Sequence, residues 1–180
     1  MTQAQCIAQS GETGAAASFL ATRLAALEAQ NAARRTLSRY MSLCDVPAPD
    51  DARDGELEAL FTGDAVWEGV GAEYATGFGR HVGPAAIGDF LRSYLPPSPH
   101  FLRNVHFLTS EAMVAEAGVV RGHWIMQQLS VYVGGKTELI SARLAVELAV
   151  GTDGSARIRH FQTERLSCLE VALARKERPQ

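Results

Sequence analysis

The sequence predicts an α+β domain with an antiparallel sheet. Helical spacing dominates the first half of the chain and long strand-like runs dominate the second, without the strand–helix alternation of a nucleotide-binding α/β fold. Tight-turn signals, Gly134-Gly135 and Gly151-Thr152-Asp153-Gly154, separate the late runs, as antiparallel connections require. No internal repeat and no linker divides the 180 residues, a length that suits one domain with a real core.

Residues Met1 to Ala17 are small and polar and are expected to form a frayed, flexible leader, with the domain covering 18–174 and a loose charged tail over 175–180. From Ser18 the spacing becomes helical: Leu20, Leu24, Leu27, Asn31, Leu37, Met41 and Cys44 follow intervals of three and four, apart from a gap at Arg34. Pro47 and Pro49 end that helix. Asp50, Asp51 and Asp54 then precede a short helix finishing near Phe61, where acidic groups suit the dipole. Ala65 to Glu68 and Tyr74 to Val82 form an expected hairpin across a Gly-rich turn. Gly83-Pro84 opens a helix with Ile87, Phe90, Leu91 and Tyr94 as its buried stripe, stopped by Pro96-Pro97. The remaining strands are His100–Leu108, a long run Met113–Val133 bent at Gly118 or Gly122, Thr137–Val150 and Ala156–Leu169.

Composition narrows the function classes. Hydrophobic residues make up 47% and charged residues 21%, as in ordinary globular chains. The net charge is −3 and there is no Lys/Arg block, which argues against a nucleic-acid groove, because phosphate binding needs clustered positive charge. The 3 cysteines, Cys6, Cys44 and Cys168, are too scattered for a disulfide framework or a zinc ribbon, so free cytosolic thiols are expected. The start lacks the basic and apolar segments of a secretory signal, and no stretch reaches bilayer-spanning length. A cytoplasmic protein is the expectation.

Several phrases in order carry a family resemblance: Arg39-Tyr40 and Asp45 on the first helix, then Leu60-Phe61-Thr62-Gly63-Asp64-Ala65-Val66-Trp67. Gly83-Pro84-Ala85-Ala86-Ile87 and His100-Phe101-Leu102-Arg103-Asn104-Val105 follow, then the paired final strands. Over roughly Asn31 to Leu169 the chain resembles the SnoaL-like branch of the nuclear transport factor 2-like superfamily. The resemblance implies a cone: a curved antiparallel sheet wrapped around helices, with a small-molecule pocket inside. The superfamily includes dehydratases, steroid isomerases, polyketide cyclases, dioxygenase small subunits and binding domains, so function must come from the site.

The dehydratase members place a tyrosine and an aspartate on the first helix, and Tyr40 and Asp45 resemble them. Tyr40 would then polarise a carbonyl and Asp45 orient a histidine; the alternatives are a packed ring and a helix-end residue before Pro47. His100 resembles the histidine that opens a pocket strand, and His123 falls near a second polar position on the next strand. A neutral imidazole there takes a proton next to a carbonyl and returns it to a leaving hydroxyl. The structural alternative is an exposed or packed ring. Strand alternation puts His106 on the face of His100, but deeper, and His81 beside a solvent-facing turn.

Trp67 is the expected aromatic wall and Asn104 a ligand hydrogen-bonding group. Arg143 and Arg159 interrupt apolar strands, where they either meet a substrate or pair with Glu147 or Glu164 on the outer face. No convergent ligand spacing supports a metal, and the chemistry calls for no redox cofactor. The leading reading is a cofactor-independent dehydratase or isomerase for a hydrophobic oxygenated molecule. The alternatives are a non-catalytic binder and a dioxygenase small subunit. A homodimer through the open sheet face, bearing Leu139, Val146 and Leu148, is expected in all three.

Overall fold

The computed structural model describes residues 3–98 and 100–172, with side chains from Gly14 onward. The expected tail lies outside the described residues. Four helices and six strands follow one another: α1 (Gln3–Leu43), α2 (Glu56–Ala59), β1 (Phe61–Val70), α3 (Gly71–Gly77), β2 (Arg80–Val82) and α4 (Pro84–Arg92). They continue with β3 (Phe101–Glu116), β4 (Val119–Tyr132), β5 (Thr137–Val150) and β6 (Ala156–Glu170). The sheet order is β2-β1-β6-β5-β4-β3. All neighbours are antiparallel except β1 and β6, which run parallel because the chain crosses between the sheet's two halves. The fold is α+β in one curved sheet.

The C-terminal half of α1 fills the concave face. Ala33, Leu37, Tyr40 and Met41 are buried against Trp124, Leu144, Leu148, Ile158 and Phe161 from the sheet. The buried Thr36 hydroxyl donates to Ala156 O at 2.8 Å, pinning α1 to β6. Alternation on β5 sends Glu138, Ile140, Ala142, Leu144, Val146 and Leu148 inward, and their β4 partners Ser130 to Val120 follow.

Four expectations change. The helix runs back to Gln3 through residues assigned to a leader, and Leu20, Leu24 and Leu27 are exposed. A 41-residue helix is about 60 Å long, and its N-terminal half has no sheet beneath it among the described residues. The expected return strand from Tyr74 is mostly helix α3, because the chain must fold over the cavity before pairing briefly as β2. The run Met113–Val133 is two strands, since Ala117 and Gly118 take positive φ and turn the chain. Finally, Val146 and Leu148 point into the core rather than onto the convex face, and only Leu139 of the three lies outside. The short helix before Phe61 is the single turn α2, and Asp51 turns back to pair with Arg39 at 2.9 Å. Among the described residues no helix is long and apolar enough to cross a membrane.

Gly122 shows how tightly the concave face is filled. A Cβ there would overlap the ring of Trp124 and the side chain of Met113. Gly122→Ala is expected to lower stability by about 1–3 kcal/mol through that overpacking, measured as a shifted urea midpoint with unchanged slope.

Candidate functional site

Helix α1 ends at Leu43, and the next residues are tied at once to β3. Val46 N donates to Asn104 O at 2.8 Å and Asn104 N to Val46 O at 3.1 Å. That two-way bridge sets Asp45 beside His106, two residues further along β3. Asp45 Oδ1 lies 2.8 Å from His106 Nδ1 and accepts the His106 backbone N–H at 3.0 Å. A carboxylate facing Nδ1 keeps the proton there and leaves Nε2 with its lone pair. The His106 side chain is only 10% exposed and lines a cavity of about 380 Å³ inside the curl.

The cavity's middle is aromatic. Trp67 stacks on Phe161 at 5.7 Å with 9° between planes, and Phe90 lies 4.8 Å from the indole. Trp67 Nε1 donates to Tyr40 Oη at 2.9 Å. Because that bond uses the oxygen as acceptor, the Tyr40 proton is available to another group. Burial pushes the phenol well above its usual range, with the Cys44 thiol one turn later adding to the effect, so the proton stays on. Cys44 itself is pushed up to about 12, chiefly by burial.

The cavity has a second polar end, built on two ion pairs. Arg165 pairs with Glu73 of α3 at 2.7 Å. Glu138 accepts the Tyr132 hydroxyl at 2.8 Å and pairs with Lys136 at 2.5 Å. Both groups line the cavity. Hydrogen bonds from Lys136 and then Tyr132 hold the Glu138 carboxyl down at about 2. His100 stands near this end, among Tyr94 at 5.1 Å, Phe101 at 4.4 Å and Tyr132 at 5.6 Å.

Of the residues the sequence nominates, Tyr40, Trp67, His100 and Asn104 line the cavity, and Asp45 contacts it through His106. The partner of Asp45 is His106, not His100, because the bridge at Asn104 brings the helix end to mid-strand. Asn104 is buried and its amide is held within the protein, Nδ2 on Cys44 O at 3.3 Å and Oδ1 receiving Ser130 and Gln128 at 2.8 Å. It therefore builds the wall instead of reaching a ligand. His123 is exposed on the convex face, since its neighbours Gly122 and Trp124 take the inward positions. Arg143 and Arg159 are also outside, paired with Glu164 at 2.6 Å and with Glu147 and Asp64 at 3.6 Å. His81 is not at a solvent-facing turn; its ring stacks 4.0 Å from Phe90.

Arg165, Gln128, Glu138 and Tyr132 went unread in the sequence. Two bulges hide Arg165: Arg159 and Leu166 are skipped in the β5–β6 register, so inward parity passes from Ile158 to Phe161, Thr163 and Arg165, then to Cys168. The odd spacing from Ile158 to Phe161 was the available signal. No group of three or more His, Cys, Asp or Glu among the described residues is placed to hold a metal ion.

Comparison with known proteins agrees with this architecture. The SnoaL-like domain profile matches residues 25–162. The chain belongs to the SnoaL-like domain family. A type 2 hexachlorocyclohexane dehydrochlorinase (LinA) superposes with a TM-score of 0.67 at 21% identity, covering 85% of this chain and 95% of that one. A putative aromatic ring hydroxylase from Novosphingobium aromaticivorans gives 0.65 at 18%, covering 81% and 94%. A putative scytalone dehydratase from the same organism gives 0.63 at 13%, covering 80% and 88%. At these identities the likeness is one of fold. No curated protein matches the sequence.

The depressed Glu138 has a consequence for acid stability. Its folded value lies below the unfolded carboxylate value of about 4.3, so the pair's contribution is complete above that value and disappears as pH falls toward about 2. Urea unfolding between pH 2.5 and 7 is expected to show wild type losing its advantage over Glu138→Gln across about pH 4.5 to 2.5. A constant difference across that range would count against the assignment.

Proposed function

We propose that the protein is a cofactor-independent lyase or isomerase for a flat, hydrophobic, oxygenated small molecule, with His106 as general base and Asp45 as its positioning partner. The Asp45–His106 contact at 2.8 Å, with the imidazole opening on the cavity, carries this reading. An imidazole held in one tautomer by a carboxylate is a competent base near neutral pH.

For a β-hydroxy ketone the step balances as follows. His106 Nε2 takes the proton from the carbon next to the carbonyl, and its electron pair forms the C=C bond. The C–O bond to the hydroxyl breaks, and the imidazolium returns the proton so that water leaves. Negative charge that develops on the carbonyl oxygen calls for a hydrogen-bond donor or cation. The neutral Tyr40 hydroxyl and the Arg165 guanidinium are among the cavity's groups of that kind. The type 2 LinA protein, a dehydrochlorinase, and the putative scytalone dehydratase share the fold, which fits an elimination without fixing the leaving group.

Self-association through the convex face is part of the proposal. Val105, Leu129, Leu139 and Leu169 stand in register across β3, β4, β5 and β6 on that face, and Leu169 is 63% exposed. Such a row suits an isologous partner. Light scattering should find a dimer in wild type and a monomer in Leu169→Glu; a monomeric wild type would remove this element.

The activity test uses 3-hydroxy-1-tetralone, whose dehydration ends in 1-naphthol, followed by absorbance. His106→Ala should lose about 10²- to 10⁴-fold in kcat/KM, and Asp45→Asn a smaller part of that. His123→Ala should stay within about twofold, as expected for a surface change. Tight binding of the ketone by wild type with no turnover would make the protein a binder instead.

A further inference from the structure

Gln128 faces His106 across the β3–β4 pair, and both line the cavity. One backbone carbonyl fixes the direction of every hydrogen bond around it. Cys44 O has no proton to give, so the Asn104 atom 3.3 Å away is its amide nitrogen. Asn104 Oδ1 is then an acceptor, and the two groups at 2.8 Å from it, the Ser130 hydroxyl and the Gln128 amide, must both donate. Gln128 therefore turns Nε2 toward the wall, where it also lies 2.9 Å from Ser130 Oγ.

Nε2 is thus turned toward the Asn104–Ser130 pair, and Oε1 is left on the other branch of the amide. Among the described residues Oε1 has no partner, yet it is not sealed off: the buried side-chain atoms without partners are Glu58 Oε2 and Thr137 Oγ1. The half-buried Gln128 presents an oriented, acceptor-only oxygen to the cavity beside the base.

We propose that Gln128 Oε1 is a specificity-determining acceptor, selecting substrates that carry a hydroxyl at the position next to the carbon facing His106. The inference rests on the reading of this cavity as a substrate site. A site that holds a fixed acceptor favours an O–H donor and disfavours the ether of the same shape, because an ether leaves the acceptor unpaired. The substrate class is accordingly an aromatic or alicyclic alcohol or phenol, in preference to its methyl ether or a plain hydrocarbon.

Calorimetric titration of 2-naphthol and 2-methoxynaphthalene into wild type, Gln128→Met and His106→Phe tests this. Wild type should prefer the naphthol about three- to tenfold. The preference should vanish in Gln128→Met and persist in His106→Phe, which separates the Gln128 oxygen from the imidazole as the acceptor. Should Gln128→Met fail to fold, the wild type and His106→Phe pairs decide by themselves. Equal or tighter binding of the ether by wild type overturns the proposal. So does a preference that survives Gln128→Met or disappears in His106→Phe, or the absence of binding by either ligand. Turnover does not enter the readout: an inactive protein that keeps the preference loses the lyase reading alone, and an active one without it loses only the acceptor.

Discussion

The site depends on one clamp between the end of α1 and β3. Asp45 follows the helix, where nothing in local propensity would fix it. Its two neighbours are fixed instead, Val46 by a backbone bridge to Asn104 and Cys44 by the Asn104 side chain. Asn104 is 3% exposed, and its amide is satisfied at both ends. A fully paired buried polar network is rigid, whereas a partly paired one is costly. The distance between Asp45 and His106 is therefore inherited from the wall and does not depend on either residue's own freedom.

The cavity combines charge with apolar surface. Asp45–His106, Arg165–Glu73 and Glu138–Lys136 are three separate charged pairs around it. Trp67, Phe161 and Phe90 add stacked apolar surface to the lining. Such a lining, apolar with a few placed polar groups, is of the kind that holds and orients a small ligand. The Tyr40–Trp67 bond joins helix to sheet within this lining. It also uses the tyrosine oxygen as acceptor, which leaves the phenol as a donor.

How much of this was legible in the sequence follows from what sets each feature. The α4 start at Pro84 and the whole of β5 follow local rules of turn chemistry and period two, and the spacing showed them. Tyr40, Asp45, Trp67 and Asn104 were visible because the family's phrases contain them. The choice of His106 over His100 was not, since it depends on a bridge between residues far apart in the chain. His123 went to the wrong face although the inward parity of Val120, Trp124 and Met126 already argued against it. Arg165 was hidden by two bulges, each of which reverses the face that simple alternation assigns. Long-range pairing and bulges are the properties that a local pattern does not carry.

The same constraint explains why position 128 holds an amide in this chain. A glutamate there would set a carboxylate against Asn104 Oδ1, acceptor facing acceptor, and would withdraw the amide donor from the network. Asn104 would keep its bonds to Ser130 and Cys44 but would face an unpaired negative charge. The glutamine supplies a donor and still shows the cavity an oxygen, without adding a second negative charge beside His106. Among the described residues Asp45 is then the sole carboxylate paired with that ring. A single carboxylate on Nδ1 gives the ring one anchored orientation, and the wall that holds Asp45 holds that orientation with it.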